Sequence, residues 1–259
     1  MRRHRRIRGL PDATETTTKH DDGMDKRNPT DVGWAEEVQQ LILHGRDREA
    51  AELAARHLTQ DLADEMTPTR GDITMGPFEQ LDELELLLGR VASGITADDL
   101  DAPTPCANFT VRGVLGHMTA GATQFAAAFR GEAPPEVPAD VADGPDVVAR
   151  AGNALAGLMS AIRSPGALER TVAAPFGEMP GDAFARFVVL DGLVHGWDLA
   201  TATGQKYEPS DTLVAEVDAF ALQAIAPAMR DGDTFANAVD PPVGATPIAR
   251  LAAFTGRNI

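Results

Sequence analysis

The chain has 259 residues, 43% of them hydrophobic, so it is long enough to bury a sizeable core in one large domain or in one domain with an appendage. Acidic residues (39) outnumber basic ones (23), and the formal net charge of −16 argues against nucleic acid as the main partner, because phosphate binding needs clustered Lys and Arg. The single cysteine, Cys106, excludes an intramolecular disulfide and a cysteine-based zinc cluster, so any metal has to be held by histidine and carboxylate groups.

The N-terminal part of the sequence divides into two regions that precede the main domain. Residues 1–30 are polar and charged without apolar periodicity, which predicts a disordered tail. This basic start lacks the apolar stretch of a secretory signal, and the sequence contains no run of about 18 apolar residues, so we expect a cytoplasmic protein without a transmembrane span. Residues 31–72 show helical spacing with a break at His44-Gly45, which predicts a helical extension of two helices followed by a linker.

From residue 73 to residue 259 the sequence predicts a four-helix bundle with additional helices. The four long helices are predicted over Phe78–Ile95, 111–131, Val147–Arg163 and Asp182–Thr203. Thr110 is the expected N-cap of the second helix, and Gly204 is expected to end the fourth. A turn-rich segment before the fourth helix predicts a short hairpin. Ser210 is expected to cap a fifth helix that runs to Ala226, and a short helix closes the chain.

The fourth predicted helix contains the stretch "LDGLVHGWDLATATG", residues 190–204, which combines an apolar stripe with an ionisable one. The ionisable stripe consists of Asp191, His195 and Asp198. Asp191 and His195 are four residues apart, so their side chains project from the same side of consecutive turns. With this geometry one helix can supply two ligands to one metal ion. The core-facing stripe beside it is made of Leu190, Leu193, Val194 and Trp197.

A third ligand has to come from elsewhere, and His117 is the one remaining histidine in a predicted bundle helix. It is flanked by Gly113, Gly116 and Gly121, which weaken a helix by roughly 1 kcal/mol each relative to alanine. Close approach of another helix or of a ligand is a common reason for such glycines. Spacing alone leaves two interpretations open: a metal site, or hydrogen-bonded core histidines with a local ion pair between two residues of the fourth helix.

Two segments together resemble a known family. "PTPCANFTVRGVLGHM", followed at a distance by "LDGLVHGWDLATATGQ", is similar to the metal-binding domain of mycothiol-dependent maleylpyruvate isomerase, and closer still to an uncharacterised actinobacterial group of the same DinB-like superfamily. The similarity covers residues 77–257, including the ending "ARLAAFTGR". It implies an all-α, DinB-like four-helix bundle with additional helices, to which the N-terminal helical extension predicted from spacing is attached. It also implies that His117, Asp191 and His195 bind a divalent metal.

The resemblance implies a function as well as a fold. Three protein ligands leave coordination positions open, as in catalytic zinc sites, and an open divalent ion can hold a thiol as its nucleophilic thiolate. We therefore expect a divalent metal, zinc first, although nickel, iron and manganese accept the same donors. Mycothiol or a related thiol is the expected co-substrate of a transferase or isomerase; the alternative is a non-catalytic metal-binding or small-molecule-binding protein. The expected partners are a small-molecule thiol or electrophile and a second copy of the chain, but neither nucleic acid nor a membrane.

Particular residues refine this expectation. Asp191 stands where the isomerase commonly has Glu, so the site must tighten or the carboxylate must bind through one oxygen. The chain after Ala226 is too short for the C-terminal lobe that helps to build the isomerase's active site, so isomerisation of maleylpyruvate itself is not expected. Asp198 is expected to accept a hydrogen bond that orients a ligand or the helix, with Trp197 packed nearby. For Cys106 a structural role is favoured over a nucleophilic one, because no activating histidine stands beside it in the sequence.

Overall fold

The computed structural model of the protein describes residues 75–174, 177–232 and 234–259, together with the separate residues Arg46 and Leu53. The tail predicted over 1–30 lies outside these residues, and so does the extension predicted over 31–72, apart from the two separate positions. The division of the chain into three regions therefore remains a prediction.

Helices make up most of the described structure. The four long ones are α1 (Pro77–Gly94), α2 (Val111–Arg130), α3 (Val147–Ile162) and α4 (Gly181–Ala202). Between α3 and α4, strands β1 (Thr171–Ala174) and β2 (Gly177–Pro180) pair antiparallel, with Val172 opposite Met179. Two shorter helices follow, α5 (Asp211–Ala224) and α6 (Pro247–Phe254), and 3₁₀ turns occur at Ala97–Asp99 and Pro227–Met229. The predicted all-α fold class and the hairpin before α4 are confirmed.

The helix ends follow from local side-chain chemistry. The Thr110 hydroxyl accepts a hydrogen bond from the N–H of Gly113 at 3.2 Å and caps α2 as predicted. The Ser210 hydroxyl caps α5 in the same way. Helix α5 ends two residues before the predicted Ala226, because Ala226 precedes Pro227 and adopts an extended conformation, which a following proline favours.

Helix α4 lies at the centre of the fold. It contacts α1, α2, α5, α6 and the hairpin, and 16 of its 22 residues are buried. Leu190, Leu193 and Val194 are almost completely buried, and Trp197 is partly buried against the same core. In the neighbouring ionisable stripe, His195 and Asp198 are buried, whereas Asp191 is partly exposed. None of the helices in the described part of the chain combines the length and apolar character needed to cross a bilayer.

Candidate metal centre

Three side chains from two helices converge beside the bundle core. His117 comes from the middle of α2, and Asp191 and His195 come from consecutive turns of α4. Each offers one potential ligand atom, and these atoms lie within 4.8 Å of one another. The structure thus brings together the three residues that the resemblance implied as ligands. Cys106 does not belong to this group.

The carboxylate of Asp191 lies at a distance from each histidine that suits ligands of one metal ion. Oδ1 of Asp191 lies 3.6 Å from Nε2 of His117 and 3.5 Å from Nε2 of His195. Ligand atoms about 2.0–2.2 Å from a tetrahedral zinc ion stand about 3.4 Å from each other. The same carboxylate oxygen faces both histidines, so the short side chain of Asp191 suits binding through one oxygen.

The backbone of α2 is closely packed at Gly116, the residue before His117. A Cβ atom on Gly116 would lie 2.6 Å from the Cβ of Ala142, so the loop after α2 leaves no space for a side chain at this position. A close approach near His117 is thus present at Gly116, but it comes from the loop after α2 and not from another helix or a ligand. The ring of Phe109 lies 5.3 Å from the ring of His117 and 6.2 Å from that of His195, and it adds an apolar wall to the site.

Asp198 orients His195 through the ring nitrogen that does not face Asp191. Nδ1 of His195 lies 3.0 Å from Oδ2 of Asp198, one turn further along α4, and both side chains are buried. A carboxylate acceptor places the ring proton on Nδ1, which leaves Nε2 as the atom with a free lone pair. This carboxylate–histidine arrangement is the usual support of a histidine metal ligand. The expected orienting contact of Asp198 is therefore present in the structure.

Arg257 completes this arrangement, and the sequence analysis did not identify it. Its Nε and Nη2 atoms donate to Oδ2 of Asp198 at 3.3 and 3.1 Å, and its side chain is 8% exposed. The other oxygen of Asp198, Oδ1, is buried without a hydrogen-bond partner among the described residues. Arg257 stands 59 residues after Asp198, so helical periodicity could not reveal the pair; its one signal was its place in the ending "ARLAAFTGR".

The site is charged and open on one side. The side chains of His117 and Asp191 are 42% and 44% exposed, whereas that of His195 is 5% exposed. Partial burial opposes ionisation of Asp191, but the electrostatic interaction with His195 and the hydrogen bond with His117 prevail and lower its pKa to about 2. The Asp191 carboxylate in turn raises the pKa of His117 against the effect of burial. Asp191 is therefore an anionic donor at neutral pH.

Cys106 lies in the loop before α2 and is partly buried. Burial raises the pKa of its thiol, and the positive charge of Arg257 offsets this only in part. The thiol form is inert as a nucleophile, because the thiolate is the reactive species. These features support the structural role expected for Cys106.

On its inner side the site adjoins the bundle core. A small apolar cavity of about 20 Å³ lies between α1, α2, α3 and α4 and reaches Asp191. Its wall includes Met118, Phe125 and Met159, and Asp191 is the one ionisable group in it. The carboxylate thus stands between an apolar interior and the solvent-exposed side of the site.

Comparison with known proteins gives a family match over this region. The sequence model of the mycothiol maleylpyruvate isomerase N-terminal domain matches residues 81–200, which include the three candidate ligands and Asp198 but not Arg257. Two curated Mycobacterium tuberculosis proteins are similar: the uncharacterized protein MT0763 of strain CDC 1551 / Oshkosh and the uncharacterized protein Rv0738 of strain ATCC 25618 / H37Rv. Each is 34% identical over 168 residues, which are 64% of this chain and 90% of the relative. No solved structure matches the chain significantly.

Proposed function

The chain belongs to the mycothiol maleylpyruvate isomerase N-terminal domain family, and from this premise we propose that it binds a divalent metal ion through His117, Asp191 and His195 and uses it in a thiol-dependent transfer or isomerisation. Zinc is the expected ion and mycothiol, or a similar low-molecular-weight thiol, the expected co-substrate. The observation that carries the proposal is the convergence of two imidazole nitrogens and one carboxylate oxygen, with Asp191 Oδ1 at 3.5 and 3.6 Å from the two nitrogens.

The donor set fits a catalytic rather than a structural ion. Three protein ligands leave a coordination position for an exogenous group, whereas structural zinc sites are closed by four protein ligands. When bound, a divalent ion lowers the pKa of a coordinated thiol and polarises a carbonyl group. The two ligands with exposed side chains, His117 and Asp191, line the side from which a thiol can approach.

The residues around the ligands have separate tasks in this proposal. Asp191 supplies the negative charge that offsets part of the charge of the ion. Asp198 keeps the proton of His195 on Nδ1, so that Nε2 is available as a donor without a change of tautomer. Phe109 excludes water from one side of the two imidazole rings. The electrophile approaches from the exposed side, together with the thiol.

The first test of the proposal is the metal content of protein purified without a histidine tag. We expect about one equivalent of metal per chain in the wild type and much less in His195→Ala and Asp191→Asn. Asp101→Asn is the matched control, because Asp101 is an exposed carboxylate outside the group of ligand atoms. Equal metal content in all four proteins would remove the proposed ligand set.

The second test separates an enzyme from a binding protein. The metal-loaded wild type is supplied with mycothiol and a panel of electrophiles, and consumption of the thiol is followed with His195→Ala as the inactive control. Turnover that requires both the metal and the thiol supports the transferase or isomerase. Stoichiometric metal without turnover across the panel favours the alternative, a non-catalytic metal-binding protein. The cytoplasmic location and the homodimer remain predictions from the sequence.

A further inference from the structure

We propose that Arg257, the third residue from the end of the chain, is a positioning residue of the metal centre. Its guanidinium group holds the carboxylate of Asp198, which holds the imidazole of His195 with Nε2 directed at Asp191. As far as metal affinity is concerned, this proposal rests on the proposed function. The contact between Arg257 and Asp198 belongs to the protein itself, so it can also be tested without metal.

The first argument is that every hydrogen bond described for the Asp198 carboxylate ends on His195 or Arg257. Oδ2 takes all of them: Nδ1 of His195 at 3.0 Å, and Nε and Nη2 of Arg257 at 3.3 and 3.1 Å. Oδ1 is buried and has no partner among the described residues. Within the described structure, Arg257 is therefore the group outside α4 that fixes the rotation of this carboxylate.

The second argument concerns burial. The side chain of Asp198 is 0% exposed and that of Arg257 is 8% exposed, so solvent does not replace either partner. A buried carboxylate is costly unless it is paired and hydrogen-bonded. Removal of Arg257 therefore frees the carboxylate to turn toward other donors, and the orientation of His195 changes with it.

The third argument is the way in which the chain turns Arg257 inward. Helix α6 ends in a Schellman motif: the N–H of Gly256 donates to Ala253 at 2.9 Å and the N–H of Arg257 donates to Ala252 at 3.0 Å. Gly256 has φ +92°, and a Cβ at this position would lie 2.9 Å from the backbone of Ala236. Glycine at this turn directs the following side chain back toward α4.

A second arginine, which contacts the end of α6 from an earlier part of the chain, provides a matched control. Nη1 of Arg230 donates to the carbonyl oxygens of Ala236 and Phe254 at 2.8 and 3.0 Å, and its guanidinium lies 4.7 Å from the centre of the Phe254 ring. Arg230 thus anchors the end of α6, as Arg257 does, but none of its described contacts involves Asp198. Loss of Arg230 loosens the C-terminal segment without removing the partner of Asp198.

The experiment compares Arg257→Met, Arg257→Lys and Arg230→Met with the wild type. Zinc affinity is measured by competition with a chelator, and the ligand geometry by the visible absorption of the cobalt-substituted protein. We expect Arg257→Met to lower zinc affinity about 10- to 100-fold and to shift the cobalt bands. Arg257→Lys keeps the charge but offers one ammonium group in place of two guanidinium nitrogens. We therefore expect its loss of zinc affinity and its shift of the cobalt bands to be smaller than those of Arg257→Met and in the same direction. Arg230→Met leaves affinity and spectrum close to wild type.

Three results of the measurements with metal would overturn the proposal. The first is an equal loss of zinc affinity in Arg257→Met and Arg230→Met, which would mean that both arginines only anchor α6. The second is a loss of zinc affinity from Arg257→Met that is as large in an Asp198→Asn background as in the wild type. A residue that acts through Asp198 has little further effect in that background. The third result applies if circular dichroism shows that Arg257→Met does not fold. It is a zinc affinity and a cobalt spectrum of Arg257→Lys that equal those of the wild type.

A metal-free measurement keeps this proposal apart from the proposed function. In ¹⁵N-histidine spectra of the chelator-treated protein we expect the wild type to show His195 with its proton on Nδ1, and Arg257→Met or Arg257→Lys to show altered signals of this ring. If the wild type binds no metal, the proposed function fails, but the change in the His195 signals still supports the role of Arg257. Unchanged His195 signals in both variants would overturn it.

Discussion

Nδ1 of His195 and Oδ2 of Asp198 lie 3.0 Å apart in the interior of the protein, and the same oxygen of Asp198 receives the guanidinium of Arg257. This relationship connects the centre of α4 to the residue that follows the C-terminal helix turn. It gives His195 a fixed orientation, because the ring nitrogen that faces away from Asp191 is already hydrogen-bonded. The candidate metal centre is therefore built from α2, α4 and the end of the chain.

The first prediction is that Asp198→Ala destabilises the protein strongly. The substitution leaves the guanidinium of Arg257 buried without its carboxylate, and breaking a buried ion pair in this way costs about 3–5 kcal/mol. Asp82→Ala is the control, because Asp82 pairs with Arg163 at the surface and its side chain is 66% exposed; such pairs contribute about 0–1 kcal/mol. Urea unfolding of both variants measures the difference, and similar losses would contradict the structural importance of Asp198.

The second prediction concerns the ion pair of His117 and Asp191 in the metal-free protein. Partial burial opposes ionisation of Asp191, but the electrostatic interaction with His195 and the hydrogen bond with His117 lower its pKa to about 2. Its contribution to the free energy of unfolding is complete above the unfolded-state pKa of about 3.9 and is lost as the pH falls toward 2. The pKa of His117 is raised by Asp191, so its contribution is complete below its usual pKa of 6.5 and is lost as the pH rises through the raised value.

Together, the lowered pKa of Asp191 and the raised pKa of His117 define a pH window in which the pair stabilises the protein. The difference in the free energy of unfolding between the wild type and Asp191→Asn is expected to be largest between about pH 4 and pH 6.5 and to shrink on both sides. Urea unfolding of the chelator-treated proteins over a pH series measures this difference. A constant difference from pH 3 to pH 9 would mean that the two side chains do not stabilise each other.

The sequence predicted the helices well because their signals are local. Thr110 and Ser210 act as caps through hydrogen bonds to residues three positions away, and the turn after α4 needs a residue at positive φ, which Gly204 supplies. The pair of Asp191 and His195 was likewise visible as a spacing of four. His117 lies on another helix; it was a candidate as the one histidine in another predicted bundle helix, and the family resemblance joined it to the pair.

The rest of the site depends on contacts that no local pattern contains. Arg257 and Asp198 are 59 residues apart, and their pairing follows from the packing of α6 on α4. The burial of α4 on most sides was also not predicted, because the sequence pattern showed one core-facing apolar stripe. Metal binding by the three candidate ligands stays a prediction.

The third prediction tests the close packing around Gly196 on α4. A Cβ atom at this position would lie 2.9 Å from Cζ of Tyr207 and 3.0 Å from Cδ2 of Leu88. The ring of Tyr207 has little room to move, because its hydroxyl donates to the carbonyl oxygen of Leu193 at 3.0 Å. We expect Gly196→Ala to lower the free energy of unfolding by about 1–3 kcal/mol.

Gly157→Ala is the control for this substitution, because Gly157 lies on the exposed face of α3 with open space around it. There the same change is expected to stabilise the protein by up to about 1 kcal/mol through helix propensity. Thermal and urea unfolding of the two variants give the comparison. A gain of stability in Gly196→Ala would mean that α4 and Tyr207 are packed more loosely than the structure indicates.

The last prediction assigns the thiol chemistry to the co-substrate and not to the protein. Burial raises the pKa of Cys106, so little of its thiolate is present at neutral pH, and its sulfur lies outside the group of candidate ligand atoms. We expect Cys106→Ala to bind as much metal as the wild type. We also expect it to consume mycothiol at the wild-type rate with any electrophile that the wild type accepts. His195→Ala serves as the comparison that loses both. Loss of turnover in Cys106→Ala, with metal content and circular dichroism unchanged, would instead place this cysteine in the reaction.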